Sequence, residues 1–189
     1  MKRQILFIQG GGKGAHKADA ELVDSLRTTL SDAYKVHYPK MPKESDPDYG
    51  RWSVQIRSEL STVGDRIILV GHSVGGSFLL KYLSEEKTET SIDGMFLIAT
   101  PYWGGEGWRY EGYEAVALAK DFASNLPRAV PIFFYHSSDD EIVPFEHLAL
   151  YGKKLPQATI RALDRRGHQL NNDVSEVAAD IRSLESIDS

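Results

Sequence analysis

Short apolar runs alternate along the chain with segments of helical spacing, and that alternation predicts the order of the elements. Ile5 to Ile8 is apolar and stops abruptly at Gly10-Gly11-Gly12, as a buried strand entering a tight turn does. From about Ala18 to Leu30 the residues Leu22, Val23, Leu26 and Leu30 recur at helical spacing. Tyr34 to Tyr38 predicts a second strand, halted by Pro39 and Pro42. Lys43 to Tyr49 is polar and predicts a loop, after which Trp52, Ile56 and Leu60 mark the apolar side of another helix.

Arg66 to Val70 carries the strongest central-strand signal, because four consecutive apolar residues suit a strand covered on both faces. A helix follows, marked by Phe78, Leu79, Leu80, Tyr82 and Leu83. Further strands are predicted at Met95 to Ala99, Val130 to Tyr135 and Ala158 to Leu163, with helices at about Ala115 to Phe122 and over Val174, Val177, Ile181 and Leu184. Such alternation predicts an α/β fold: a mostly parallel sheet with helices on both faces, a three-layer α/β/α sandwich. With 189 residues and no repeat or long linker, the expectation is one domain over residues 1–189.

Composition narrows the function classes. The chain is 41% hydrophobic, 26% charged and 10% aromatic, as an ordinary globular protein is. It has no cysteine, which removes disulfides, cysteine nucleophiles and thiolate metal sites. The apolar stretch near the start is too short for a signal-peptide core or a membrane span, so a cytoplasmic protein without membrane association is expected. A formal charge of −5, with basic clusters as brief as Arg165-Arg166, argues against binding to nucleic acid.

The central chemical signal is Gly71-His72-Ser73-Val74-Gly75, a G-x-S-x-G sequence directly after the best strand and before a good helix. A nucleophile there sits on a sharp strand-to-helix turn where flanking side chains clash, hence the glycines. Ser73 needs a base, and the base needs an acid to orient it. The order nucleophile, acid, histidine is met by Ser73, then Asp139 or Asp140, then His168, each late candidate lying in a loop after a predicted strand. The residues alone do not separate the adjacent aspartates. Among the other histidines, His72 sits on the turn as packing or support, His136 is too near its strand, His147 belongs to a short helix after Pro144, and His16 and His37 come too early in the chain.

Gln9-Gly10-Gly11-Gly12-Lys13-Gly14 admits several roles. Its backbone N–H groups, that of Gly11 above all, suit half of an oxyanion hole, with Val74 N–H as the other half. Gly10, Gly12 and Ala15 also approximate a dinucleotide turn, but no acid ends the next strand, and a phosphate loop needs Ser or Thr after Lys13. Asp139, Asp140, Glu141 and His136 make a conceivable metal cluster that would compete for the acid of the triad. Tyr102, Trp103 and Trp108 lie in an aromatic, glycine-rich stretch from Tyr102 to Tyr113 and are the candidates for a substrate pocket.

With the strand and glycine turn at Gly10-Gly11, the elbow at Ser73, Asp140 in Asp140-Glu141-Ile142-Val143-Pro144, and Gly167-His168, the chain resembles the α/β-hydrolase superfamily. Within it the chain is similar to the small capless serine hydrolases grouped with retinoblastoma-binding protein 9 and the YdeN-like proteins. The resemblance implies about six strands, no large cap, no cofactor, and hydrolysis of a small ester or related acyl substrate. It also favours Asp140 as the acid, from its place four residues before Pro144. Gln9 departs from it, standing where many relatives have histidine. The competing expectation is a protein-interaction module on a hydrolase scaffold with little turnover; no protein partner is identifiable from the residues.

Overall fold

The computed structural model describes residues 2–184; Met1 and residues 185–189 of the expected domain lie outside the described residues. Six strands form one sheet: β1 (Arg3–Ile8), β2 (Tyr34–His37), β3 (Arg66–His72), β4 (Ser91–Ile98), β5 (Ile132–Ser137) and β6 (Thr159–Leu163). Their order is β2-β1-β3-β4-β5-β6 and every pairing is parallel. The helices are α1 (Ala15–Leu30), α2 (Tyr49–Val63), α3 (Val74–Glu85), α4 (Phe122–Asn125), α5 (Glu146–Lys154) and α6 (Ser175–Ser183).

Side chains alternate across each strand, so the sheet has two apolar faces and two cores. Ile5, Phe7, Ile68, Val70, Phe96 and Ile98 meet Leu22, Val23 and Leu26 of α1 and Val177 and Ile181 of α6. Leu6, Ile8, Ile67, Leu69, Met95 and Leu97 meet α2 through Trp52, Ile56 and Leu60, α3 through Phe78 and Leu79, and α5 through Leu148 and Tyr151. The result is the predicted three-layer α/β/α sandwich, an α/β-hydrolase-like fold with no cap among the described residues. Among the described residues no helix is long and apolar enough to cross a membrane.

The chain moves outward from β1 to β2, then crosses back to β3 on the other side of β1. This reversal opens a crevice at the carboxyl ends of β1 and β3, where a parallel sheet binds its ligands. Ile8 pairs with Gly71 there, so the Gly10 turn and the Ser73 elbow leave the sheet side by side.

Three expectations need correction. The helix predicted at Ala115 to Phe122 is absent; a 3₁₀ turn at Tyr113–Ala115 leads into turns, and α4 starts only at Phe122. Helix propensity is overridden by packing: Val116, Ala117 and Leu118 all lie against the core, and the Ala117 carbonyl accepts from Lys81 Nζ at 2.9 Å. β5 starts and ends two residues later than predicted, since Pro131 precedes its first strand residue, and so includes His136. His72 is the last residue of β3 rather than part of the turn.

Candidate active site

Ser73 stands between β3 and α3 with φ 50° and ψ −125°, a conformation that L-residues rarely adopt. Its N–H donates to the Ile98 carbonyl at 2.8 Å, which fixes the turn to β4. The flanking glycines are required by contact. A Cβ on Gly71 would lie 2.6 Å from Gly76 Cα, one on Gly75 would overlap the Gln9 carbonyl oxygen, and one on Gly76 would overlap Thr100 Oγ1.

Asp140, in the loop after β5, accepts the N–H groups of Ile142 (2.8 Å) and Val143 (2.9 Å) on Oδ1. Its Oδ2 lies 3.0 Å from His136 Nε2 and 2.9 Å from His168 Nδ1. Burial alone would raise this carboxyl, but the hydrogen bonds from His136 and His168 outweigh it and hold Asp140 well below the usual carboxylate range. His168 therefore carries its proton on Nδ1, leaving the Nε2 lone pair free to take another. Burial lowers His168 below the ordinary histidine value, partly offset by the bond to Asp140, so the ring is neutral at neutral pH.

Asp139 and Glu141 serve the same loop through different atoms. Asp139 Oδ1 accepts the N–H groups of Arg166 (3.0 Å) and Gly167 (2.9 Å) and the Ser137 hydroxyl (2.6 Å). Glu141 Oε2 accepts His168 N–H at 3.2 Å. Three consecutive acids thus hold three consecutive residues, and among the described residues no such group is arranged to hold a metal ion. Arg166 completes the anchorage by pairing with Glu176 (2.9 Å) and donating to the Asp173 carbonyl (2.6 Å).

In the first turn, Gly10 N–H donates to Asp19 Oδ2 (2.7 Å) and Gly12 N–H to the Glu44 carbonyl (2.6 Å), while that of Gly11 makes no hydrogen bond among the described residues. Gly11 lies against Val74, since a Cβ on it would come 3.2 Å from Val74 Cγ2. Val74 N–H belongs to the first turn of α3, where an α-helix offers no acceptor of its own. Gln9, buried, binds Met41 N–H through Oε1 (3.0 Å) and Glu44 through Nε2 (2.9 Å), tying the turn to the loop before α2.

Asp19 and His72 were not legible as a pair. The carboxylate Oδ2 and His72 Nδ1 are 2.9 Å apart, with both side chains buried. Gln169 Nε2 donates to the other oxygen at 2.9 Å. The signal in the sequence is that Asp19 lies three and four residues before Leu22 and Val23, on the apolar stripe of α1, where an unpaired acid is costly.

Ser73, His168, Gly10, Gly11, Val74 and Gln169 line one cavity of about 280 Å³. Among the described residues no hydrogen bond joins the Ser73 hydroxyl to the His168 ring; the two meet as walls of this cavity. Trp108 and Ile142 supply its apolar wall. Tyr102 and Trp103 do not line it: Trp103 is buried with Nε1 on Ser77 Oγ (2.9 Å) and its ring edge-on to Trp108, and Tyr102 packs on Tyr151. Of the expected pocket residues, only Trp108 borders the crevice.

Among solved structures the chain is similar to the ydeN gene product of B. subtilis, at 17% identity and TM-score 0.72 over 98% of this chain and 100% of that one. It is similar to a serine hydrolase of Cycloclasticus zankles, at 15% identity and TM-score 0.75 over 97% and 89%. A meta-cleavage product hydrolase of Pseudomonas fluorescens aligns at 15% identity and TM-score 0.70 over 100% and 92%. Identities this low establish the shared fold. No curated protein sequence matches the chain. The serine hydrolase family model matches residues 19–175, a span that opens at the Asp19 of the buried pair and runs past His168, and the chain belongs to that family.

Proposed function

We propose that Ser73, His168 and Asp140 act as a nucleophile, base and acid triad that hydrolyses a small ester or related acyl compound. The observation that carries this reading is that the Asp140-bound His168 ring and the Ser73 elbow border a single crevice. His168 Nε2 takes the Ser73 proton as Oγ attacks the carbonyl carbon, and Asp140 stabilises the imidazolium that forms. The N–H groups of Gly11 and Val74 receive the developing oxyanion. Collapse expels the leaving group, protonated by His168, and water repeats the attack on the acyl-enzyme to return Ser73. The reading needs no cofactor. A crevice of about 280 Å³ walled by Trp108 and Ile142 suits a short to medium acyl group.

The test is Ser73→Ala and His168→Ala, each checked for folding by circular dichroism and assayed on a short activated ester. Turnover should fall at least about 10³-fold in both. An intact-mass adduct with a fluorophosphonate should form on the native chain and not on Ser73→Ala. Folded Ser73→Ala with undiminished turnover overturns the assignment.

A further inference from the structure

The His72 ring is buried with an oxygen at each nitrogen. Nδ1 lies 2.9 Å from Asp19 Oδ2, and Nε2 lies 3.1 Å from the backbone carbonyl of His168. A carbonyl only accepts, so Nε2 carries a hydrogen. Asp19 is itself surrounded by donors: Oδ2 also accepts Gly10 N–H and Oδ1 accepts from Gln169 Nε2. These two donors favour the ionised carboxyl, which only accepts, so Nδ1 carries a hydrogen as well. With a proton on both nitrogens, His72 is an imidazolium. The neutral ring would leave a lone pair facing an oxygen at about hydrogen-bond distance in a buried site, which is costly.

We propose that His72, held as an imidazolium by Asp19, is a positioning residue for the Ser73 chemistry: a fixed buried cation that joins the first turn, the elbow and the His168 loop and disfavours a second positive charge on His168. The proposal rests on His168 acting as the base. Its carriers are spread over three parts of the chain. Asp19 on α1 holds the Gly10 turn, His72 directly precedes Ser73, and its Nε2–H grips the backbone of His168. The His72 and His168 ring centres are 4.8 Å apart, close enough for like charges to repel strongly where little water intervenes.

The titratable groups facing His72 are Asp19 from α1, His168 from the loop after β6, and Asp140 from the loop after β5. Tyr38, after β2, stands near Asp19 and stays a neutral phenol, raised first by burial and then by the charge of Asp19. Burial pushes His72 down, but the charge and hydrogen bond of Asp19 outweigh it, and the net direction is upward. His168 moves the opposite way, through burial first and with repulsion from His72 as a contributor, against the upward pull of Asp140 and Glu141, the two acids that face it from the loop after β5. A base kept neutral in this way remains able to accept the Ser73 proton at lower pH than an ordinary histidine.

The experiment combines ring NMR with kinetics on the full chain. With ¹⁵N-labelled histidine, the native protein should show both His72 ring nitrogens protonated at neutral pH, and His168 titrating below its position in His72→Gln. Removing the cation makes protonation of His168 easier. The His168 titration, and with it the acid limb of kcat/KM, should therefore move to higher pH by roughly one unit in His72→Gln and by less in Asp19→Asn, where no charge is left unpaired. A purely structural role would lower kcat and leave that limb in place. A His72 ring with a single proton in the native chain, or an unmoved His168 titration in folded variants, overturns the proposal. The native-chain spectrum decides the charge state even where a variant does not fold. Because the NMR reading requires no turnover, failure of the triad assignment, seen as activity in Ser73→Ala, is distinct from failure of this proposal.

Discussion

The Asp139 carboxylate accepts the Gly167 N–H at 2.9 Å, one residue before His168. Gly167 has φ +60°, so the loop turns through a left-handed residue here and Asp139 holds the turn closed. Asp140, its neighbour, binds the His168 ring instead. The two aspartates therefore divide the work of placing one histidine, and their variants should differ in kind. Asp140→Asn presents an amide to Nδ1 and permits the wrong tautomer, and kcat should fall by about three to four orders of magnitude. Asp139→Asn keeps an oxygen acceptor for the backbone and loses only the charge-assisted part of its bonds, a change worth about tenfold or less. Steady-state kinetics on both variants checks this; a larger loss in Asp139→Asn would reverse the roles.

Gly75 and Gly76 are adjacent yet should respond differently to a compensating change. A methyl at Gly76 meets the Thr100 side chain, whereas one at Gly75 meets the backbone carbonyls of Ile8 and Gln9. Each alanine substitution should cost about 1–3 kcal/mol or more in urea unfolding. Adding Thr100→Ala removes the obstructing atoms, so Gly76→Ala should recover much of its loss in a double-mutant cycle and Gly75→Ala none. Equal coupling to Thr100 in both would contradict the contact geometry.

Much of this architecture was legible because it rests on periodicity and on local turn chemistry. The run Ile67 to Val70, the glycines about Ser73 and the spacing of Leu22, Val23 and Leu26 each depend on a few neighbouring residues. The part that was not legible depends on distant ones. Asp19 and His72 are far apart in the chain and meet only once α1 packs on the sheet face with its first turns at the carboxyl ends of β1 and β3. The alanine-rich stretch from Ala115 reads as helix by propensity, but the Lys81 ammonium that takes the Ala117 carbonyl comes from α3. Asp139 and Asp140 could not be separated by composition because both serve the same loop.

Trp103 and Trp108 touch edge-on, with ring centres 4.7 Å apart, but only Trp108 borders the crevice. Trp108→Ala and Ile142→Ala should change the ratio of kcat/KM values across activated esters of increasing acyl length by about 1–3 kcal/mol of discrimination, with little change in folding. Trp103→Ala should instead destabilise the fold by about 3–5 kcal/mol, through the cavity left in the core and the loss of the Nε1–H donor to Ser77 Oγ, whose own hydrogen stays on the Val74 carbonyl. An altered chain-length profile in Trp103→Ala alone would place the acyl site on the other side of the loop.

The loop that carries both tryptophans is pinned by His147, and this contact makes its stability depend on pH. His147 Nδ1 accepts Tyr102 N–H at 2.8 Å, and Nε2 donates to the Glu106 carbonyl at 2.7 Å. Only the neutral ring with its hydrogen on Nε2 makes both bonds, since a second proton would face the Tyr102 N–H. Burial accordingly holds His147 below its ordinary value of 6.5, partly offset by the bond to the Glu106 carbonyl. As pH falls below 6.5 the unfolded chain gains a proton that the folded chain resists, so the stabilisation is fully present above that value and drains away below it. Each unit of separation between the folded and unfolded values is worth about 1.4 kcal/mol. His147→Gln offers an acceptor and a donor that do not titrate, so its urea stability should fall less than the native protein's between about pH 7 and pH 5. His168, which is lowered, and His72, which is raised, are present in both proteins, and their opposite contributions cancel in the difference. Amide hydrogen exchange should show the loss beginning at Tyr102 and its neighbours, ahead of the β-sheet. Parallel pH slopes in the two proteins would mean that the ring of His147 does not hold this loop through its neutral form.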